Sequence, residues 1–367
     1  MDSADYDETA PAESPASDNA LLQIQGLRTH FKTPLGVVHA VDGVNLSVAK
    51  GETLGLVGES GSGKTVLARS IMRLFPKDNV ISEGQIDFEG SDLMMLRPDQ
   101  LRHIYGPRIA MVFQDPMTSL HPVLKIGFQI TEGLRWHKKV SKADARSMAI
   151  ELLRSVHISE PISRLDQYPH ELSGGMRQRV MIAIAIACGP ALLLADEPTT
   201  ALDVTVQAQI LDLLEDQQRQ HRMAMVFTTH DLGVVATRTH TIAVMYAGKI
   251  VEKATTRGLF AQPLHPYTEG LILCMPRLGQ PKQEQLRTIA GQPPSLIDPT
   301  GGCRFAPRCP YVKERCRIEE PPLRTVVSGH EVACWYPVGS LARQRTDEGC
   351  DDHGSATVTS HSNEIGL

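Results

Sequence analysis

Leu54-Gly55-Leu56-Val57-Gly58-Glu59-Ser60-Gly61-Ser62-Gly63-Lys64-Thr65 reads as a buried strand, a glycine-rich turn and the start of a helix. It satisfies G-x-x-x-x-G-K-[ST], the phosphate-binding loop. Gly58, Gly61 and Gly63 let the backbone turn tightly and approach phosphate oxygens, and the helix beginning near Gly63 adds its positive dipole end. Lys64 supplies a point charge for β- and γ-phosphates, and Thr65 Oγ is placed for Mg²⁺. Gly58, Glu59, Ser60, Gly61, Ser62, Gly63, Lys64 and Thr65 are therefore the candidate nucleotide contacts. Leu67, Ile71 and Leu74 follow at core-facing helical spacing. A structural glycine turn is the competing reading; the strand before and the helix after argue against it.

At 367 residues the chain has room for two or three domains, and 41% hydrophobic with 22% charged residues lets most of it fold. A net charge of −5 gives no general drive toward nucleic acid. Residues 1–20 carry Asp2, Asp5, Asp7, Glu8, Glu13 and Asp18 with no Lys or Arg, which reads as a disordered acidic tail. The N-terminus lacks the apolar segment of a signal peptide. The longest apolar candidate for a membrane span, Val180 to Cys188, closes on Gly189-Pro190 after nine residues. Seven cysteines without an export signal imply reduced thiols in the cytosol.

Short alternating runs at residues 22–27, 36–41 and 44–48 predict an antiparallel sheet leading into the loop. Strands are expected again at 84–90 and 109–114, and residues 124–188 are mostly helical in pattern. Ala191-Leu192-Leu193-Leu194-Ala195-Asp196-Glu197 looks like a central parallel strand closed by two acids, and 224–230 is another, ending on His230. Strands alternating with helices give an α/β fold. From about Thr255 the composition shifts to Pro, Gly and Cys, and residues 341–367 read as a flexible tail.

Asp196-Glu197 is the Walker B arrangement. Asp196 would hold the Mg²⁺ that Thr65 touches, and Glu197 would polarise the attacking water. A helix N-cap acid is the alternative. Leu172-Ser173-Gly174-Gly175-Met176-Arg177-Gln178 adds a second anion site: Ser173 caps the following helix, and Gly174 and Gly175 bare its first N–H groups.

Together these segments resemble the ATP-binding cassette (ABC) ATPases from about Leu21 to Thr255. The resemblance implies a RecA-like P-loop core over 21–255, with an antiparallel β subdomain and a helical signature subdomain at about 115–188. It implies roles by position: Phe31 stacking on adenine, with a core Phe as the rival reading; Gln114 as the Q-loop residue near Mg²⁺ and water; Ala201-Leu202-Asp203 as the D-loop, with Asp203 toward nucleotide; and His230 as the γ-phosphate switch. Glu197, His230 and Gln114 form the expected catalytic set. It also implies a head-to-tail pair of cassettes, each ATP lying between one subunit's loop and the Ser173-type signature of the other.

The C-terminal region is similar to that of oligopeptide and dipeptide importer ATPases, of the dipeptide-transporter D-subunit type. The residues concerned are Gly258-Leu259-Phe260, Pro263-Leu264-His265-Pro266-Tyr267-Thr268, Gly291-Gln292-Pro293-Pro294 and Gly302-Cys303-Arg304-Phe305-Ala306-Pro307-Arg308-Cys309-Pro310. Residues 256–340 are expected to form a small Cys-rich domain. Cys303, Cys309, Cys316 and Cys334 form a set whose spacing is not the usual zinc pattern. Four thiolates suit a [4Fe–4S] cluster. The resemblance favours that cluster, with zinc or plain reduced thiols open. Cys188 and Cys274 read as core, and Cys350 lies in the tail.

The expected function is an ATP-hydrolysing subunit of an importer of di- or oligopeptides. It would work at the cytoplasmic face with a second, different cassette, two permease subunits and, indirectly, a substrate-binding protein. Nickel and glutathione importers, or an iron–sulfur regulatory protein, are the rivals. Gln114 and Leu172 are 58 positions apart, which leaves no room for the coiled coil of DNA-repair cassettes.

Overall fold

The computed structural model describes residues 20–339 except 77, 201, 276–287, 300 and 328. The acidic tail 1–19, Ala201, Cys350 and the C-terminal tail expected at 341–367 therefore lie outside the described residues.

Two sheets organise the chain. The first is antiparallel, β2-β1-β4-β5, built from β1 (Ala20–Thr33), β2 (Gly36–Ala49), β4 (Val80–Phe88) and β5 (Ser91–Asp92). The sequence predicts a break near Asp42-Gly43; the structure runs one 14-residue strand through it. Leu27 pairs with Val44 while Arg28 pairs with Asp42, so Gly43 is the extra residue of a bulge. Its φ of 71° is one that glycine adopts without strain.

The second sheet has the order β11-β12-β10-β9-β3-β8-β7-β6. Its strands are β3 (Thr53–Val57), β6 (Ile109–Val112), β7 (Leu192–Asp196), β8 (Ala224–Thr229), β9 (Thr241–Tyr246), β10 (Lys249–Thr255), β11 (Arg324–Val327) and β12 (His330–Val332). β6, β7, β8, β3 and β9 are mutually parallel, and β10 returns antiparallel to β9. The expected strands at 109–114, 191–197 and 224–230 are β6, β7 and β8. The β9–β10 hairpin was not anticipated from the sequence.

The continuous apolar runs of β3 and β7 follow from burial on both faces. Leu54, Leu56, Leu192 and Leu194 point into a core shared with the antiparallel sheet. Val57, Leu193 and Ala195 point into the opposite core, which is closed by helices including Gly174–Ile186 and Val204–His221. The first core also holds Leu67 and Ile71 of the helix Lys64–Ile71; Leu74, beyond that helix, is 45% exposed. Between β6 and β7 come the helices Ile126–Lys138, Lys142–Ser155 and Gly174–Ile186. The residues after Thr255 continue the second sheet, since β12 pairs with β10, and Phe305 belongs to the second core.

Candidate functional site

Four loops leave the carboxyl ends of parallel strands on one edge of the second sheet: Gly58 after β3, Phe113-Gln114 after β6, Glu197 after β7 and His230 after β8. That edge is where open α/β sheets bind ligands. The loop after β3 is built for close approach. Gly63 sits at φ 106°, and a Cβ there would lie 2.2 Å from Ala40 O. It begins the helix Lys64–Ile71 with no side-chain cap, so the first-turn N–H groups are not taken by a capping side chain.

Lys64 is 4% exposed and donates to Gly58 O at 2.8 Å and Glu59 O at 3.0 Å; its Nζ lies 3.8 Å from Glu197 Oε1. Burial lowers its pKa, against the pull of Glu197, Asp196 and Glu59. The loop thus holds a desolvated cation on neutral carbonyls, a group that gains from an incoming anion.

Asp196 is fully buried. Thr65 Oγ1 donates to its Oδ1 at 3.0 Å and Thr228 Oγ1 does so at 2.8 Å, while Oδ2 has no partner. Burial raises its pKa. An orphaned buried carboxylate oxygen beside a threonine hydroxyl matches the donor chemistry of a Mg²⁺ site, so Thr65 and Asp196 fit the ion. Ser62 Oγ in the same loop is likewise buried without a partner.

Glu197 gathers the rest. Gln114 Nε2 donates to its Oε2 at 3.1 Å, Thr200 Oγ1 does so at 3.0 Å, and His230 Nδ1 lies 3.5 Å away. Its backbone adopts φ 43°, fixed by N–H donation to Thr228 O and Thr228 Oγ1. His230 is 59% exposed, the strand-end placement its sequence position implies. Thr228 escaped the sequence reading, although a threonine two residues before the strand-end histidine was the available signal.

Other predicted residues sit elsewhere. Ser173 caps Gly174–Ile186 by accepting from Met176 N at 3.3 Å, and Gly175 packs so tightly on Val206 that a Cβ would come within 2.9 Å. Asp203 is the N-cap of Val204–His221, accepting from Val206 N at 3.0 Å. Among the described residues, the hydrogen bonds of Ser173 and Asp203 stay within their own helices. Phe31 is half-buried with its ring edge-on to Phe75 at 5.2 Å, outside both cores, which sets aside its reading as a core residue. Glu59 turns from the loop toward the C-terminal region: its N–H donates to Tyr267 OH and its carboxylate pairs with Arg308.

Cys303, Cys309, Cys316 and Cys334 line one small cavity with His265, Phe305, Tyr311 and Trp335, and none of the four is in a disulfide. Burial pushes the Cys303 thiol up to about 11, with Cys316 and Cys309 adding to the effect. Four thiols around one cavity, Cys316 buried and the others half-buried, fit a thiolate-bound metal centre, whose positive charge would reverse that shift. Among the described residues, His30, His39 and Asp42 also bring ligating atoms within 4.8 Å of one another. Arg28, Lys249 and Arg304 all pair with Asp42, however, which makes the group an ionic staple between β2 and the C-terminal region.

The ABC transporter family matches residues 41–200, and the family described as "Oligopeptide/dipeptide transporter, C-terminal region" matches residues 251–316. The "Probable peptide ABC transporter ATP-binding protein y4tR" of Sinorhizobium fredii is 51% identical over 323 residues, 88% of this chain and 96% of its own length. The dipeptide transport ATP-binding protein DppD of Escherichia coli is 47% identical over 324 residues, 88% of this chain and 99% of its own. Among solved structures, the dimeric post-hydrolysis state of the ATP-binding cassette MJ0796, bound to ADP and Pi, superposes with a TM-score of 0.58 at 28% identity. It covers 65% of this chain and 99% of that one.

Proposed function

Because this chain belongs to the ATP-binding subunits of the ABC transporter family, in its oligopeptide/dipeptide branch, we propose that it hydrolyses ATP to drive import of di- and oligopeptides. It is an ABC-type transporter ATPase and works with membrane-spanning permease subunits and a substrate-binding protein. No described helix is long and apolar enough to cross a membrane. In this reading the chain is docked on those permeases at the cytoplasmic face.

The single observation that carries the reading is the arrangement of Lys64, Gln114, Thr200 and His230 around Glu197, beside the open Oδ2 of Asp196. Phosphates enter the loop Gly58–Thr65, with Ser60, Gly61 and Ser62 around them. Lys64 exchanges carbonyls for β- and γ-phosphate oxygens. Phe31 stacks on the adenine. Thr65 and Asp196, with Gln114, hold Mg²⁺, which supplies neutralisation of phosphate charge. Glu197 accepts a hydrogen bond from the attacking water, Gln114 and Thr200 fix the carboxylate, and His230 contacts the γ-phosphate. Ser173, Gly174 and Gly175, with Asp203 near them, close over nucleotide held by a neighbouring cassette, and that neighbour is a second, different chain. Cys303, Cys309, Cys316 and Cys334 hold a [4Fe–4S] cluster that cross-links the C-terminal region, with zinc as the alternative.

Glu197→Gln in the assembled transporter tests the chemistry. ATP binding stays near the parent value while turnover falls about a thousandfold or more; turnover at the parent rate overturns the role of Glu197. Visible absorbance and iron content of anaerobically purified protein test the cluster, since zinc gives a colourless protein.

A further inference from the structure

Arg308 lies in a short turn, Ala306–Arg308, between Cys303 and Cys309. Its side chain is 4% exposed, and its donors are all used. Nη1 and Nη2 grip Glu59 at 2.8 and 3.0 Å, two oxygens by two nitrogens. Nη1 also reaches Tyr246 OH at 3.4 Å, Nη2 reaches Ile289 O at 3.2 Å, and Nε reaches Ala290 O at 3.0 Å. A guanidinium carries five N–H groups in a fixed fork, so this one is locked in orientation.

What it holds is the first residue after Gly58 of the phosphate-binding loop, 249 positions away. The same residue is held a second time, because Glu59 N–H donates to Tyr267 OH at 2.9 Å. Tyr267 is itself fully buried against Tyr246 and Phe305. The carbonyl of Glu59 in turn accepts from Lys64 Nζ. A chain of direct contacts therefore runs from the cysteine-bearing turn, through Arg308 and Glu59, to the lysine that meets the phosphates. Arg304 makes a parallel strut, donating to Asp42 and to Ala247 O beside Gly248, whose N–H is bound to Ser62 O of the loop.

We propose that Arg308 and Tyr267 are positioning residues for the phosphate-binding loop, so that the C-terminal region sets this subunit's affinity for nucleotide through Glu59. Neither residue touches nucleotide; both act by holding the outer wall of the loop in its phosphate-ready form. The proposal rests on reading Gly58–Thr65 as the ATP site.

The test is calorimetric titration of Mg–ATP into the full-length chain for the parent, Arg308→Met, Glu59→Gln and the double variant, with turnover of the assembled transporter measured alongside. Each single change raises the Kd for ATP about tenfold, and the double variant is no weaker than either single, as expected of two ends of one contact. Turnover of Arg308→Met at saturating ATP stays within about twofold of the parent, because Arg308 touches none of the reacting groups. Arg308→Lys, which keeps the charge but loses the two-pronged grip, recovers only part of the affinity. Parent-like affinity in Arg308→Met, multiplied single effects in the double variant, or lost turnover at unchanged affinity each overturns the proposal. A parent chain that binds no ATP sinks the reading of the loop itself, a result distinct from those. Should Arg308→Met melt below the assay temperature, Arg308→Lys is read against the same outcomes.

Discussion

Asp196 stands at odds with its surroundings. Its environment raises the carboxyl pKa above the ordinary value of 3.8, first through burial. A raised native pKa means that stability is greatest below the unfolded value and is lost as pH climbs through the native one. At neutral pH the nucleotide-free chain therefore bears the cost of an ionised, half-satisfied carboxylate. Asp196→Asn keeps an acceptor for Thr65 and Thr228 and removes the charge, so it melts about 2–4 °C above the parent without nucleotide. The same variant gains little from Mg–ATP, while the parent gains strongly. Melting curves with and without Mg–ATP read both effects. A nucleotide-free Asp196→Asn protein that melts below the parent contradicts this account.

At the level of whole elements, the glycine-serine helix tips serve two ends. Ser173 caps the helix Gly174–Ile186 through Met176 N–H, and an N-cap serine contributes about 1 kcal/mol. Ser173→Ala should then cost only a few degrees of melting temperature in the isolated chain. If its hydroxyl also meets a neighbour's nucleotide, as proposed, hydrolysis by the assembled transporter falls far more than the stability loss explains. Asp203 separates the same two effects. Asp203→Asn retains a capping oxygen and leaves the melt of Val204–His221 intact, whereas Asp203→Ala loses about 1 kcal/mol. Thermal unfolding beside ATPase assays of each pair distinguishes capping from catalysis.

Over the whole molecule, one buried acid ties the last third of the chain to the sheet. Glu252 of β10 is fully buried; it accepts from Leu264 N–H and His265 N–H, and it lies 2.7 Å from His330 Nε2 on β12. Removing this acid strands the buried N–H groups of Leu264 and His265, at about 1–3 kcal/mol for each unsatisfied donor. Glu252→Ala should expose the region after Thr255 to limited proteolysis at protease levels that leave the parent intact, and the released fragment identifies the boundary. Arg308 and Arg304 then lose their footing, so ATP affinity should fall in the same variant.

The amino-acid sequence alone determined three local devices: the phosphate loop, the strand-end Asp196-Glu197 pair, and the cap at Ser173. Each is legible because a fixed short spacing dictates a backbone conformation whatever surrounds it. The antiparallel strands were legible in kind but not in extent, since a glycine bulge at Gly43 continues a strand that composition alone would end. Only the tertiary structure decided that Thr228 braces both Asp196 and Glu197, and that Arg308 and Tyr267 reach back to Glu59. Those partners lie 31 to 249 positions apart, and what joins them is strand order and register. Order and register are settled by how all the apolar faces of the chain bury together, a property that no single stretch carries.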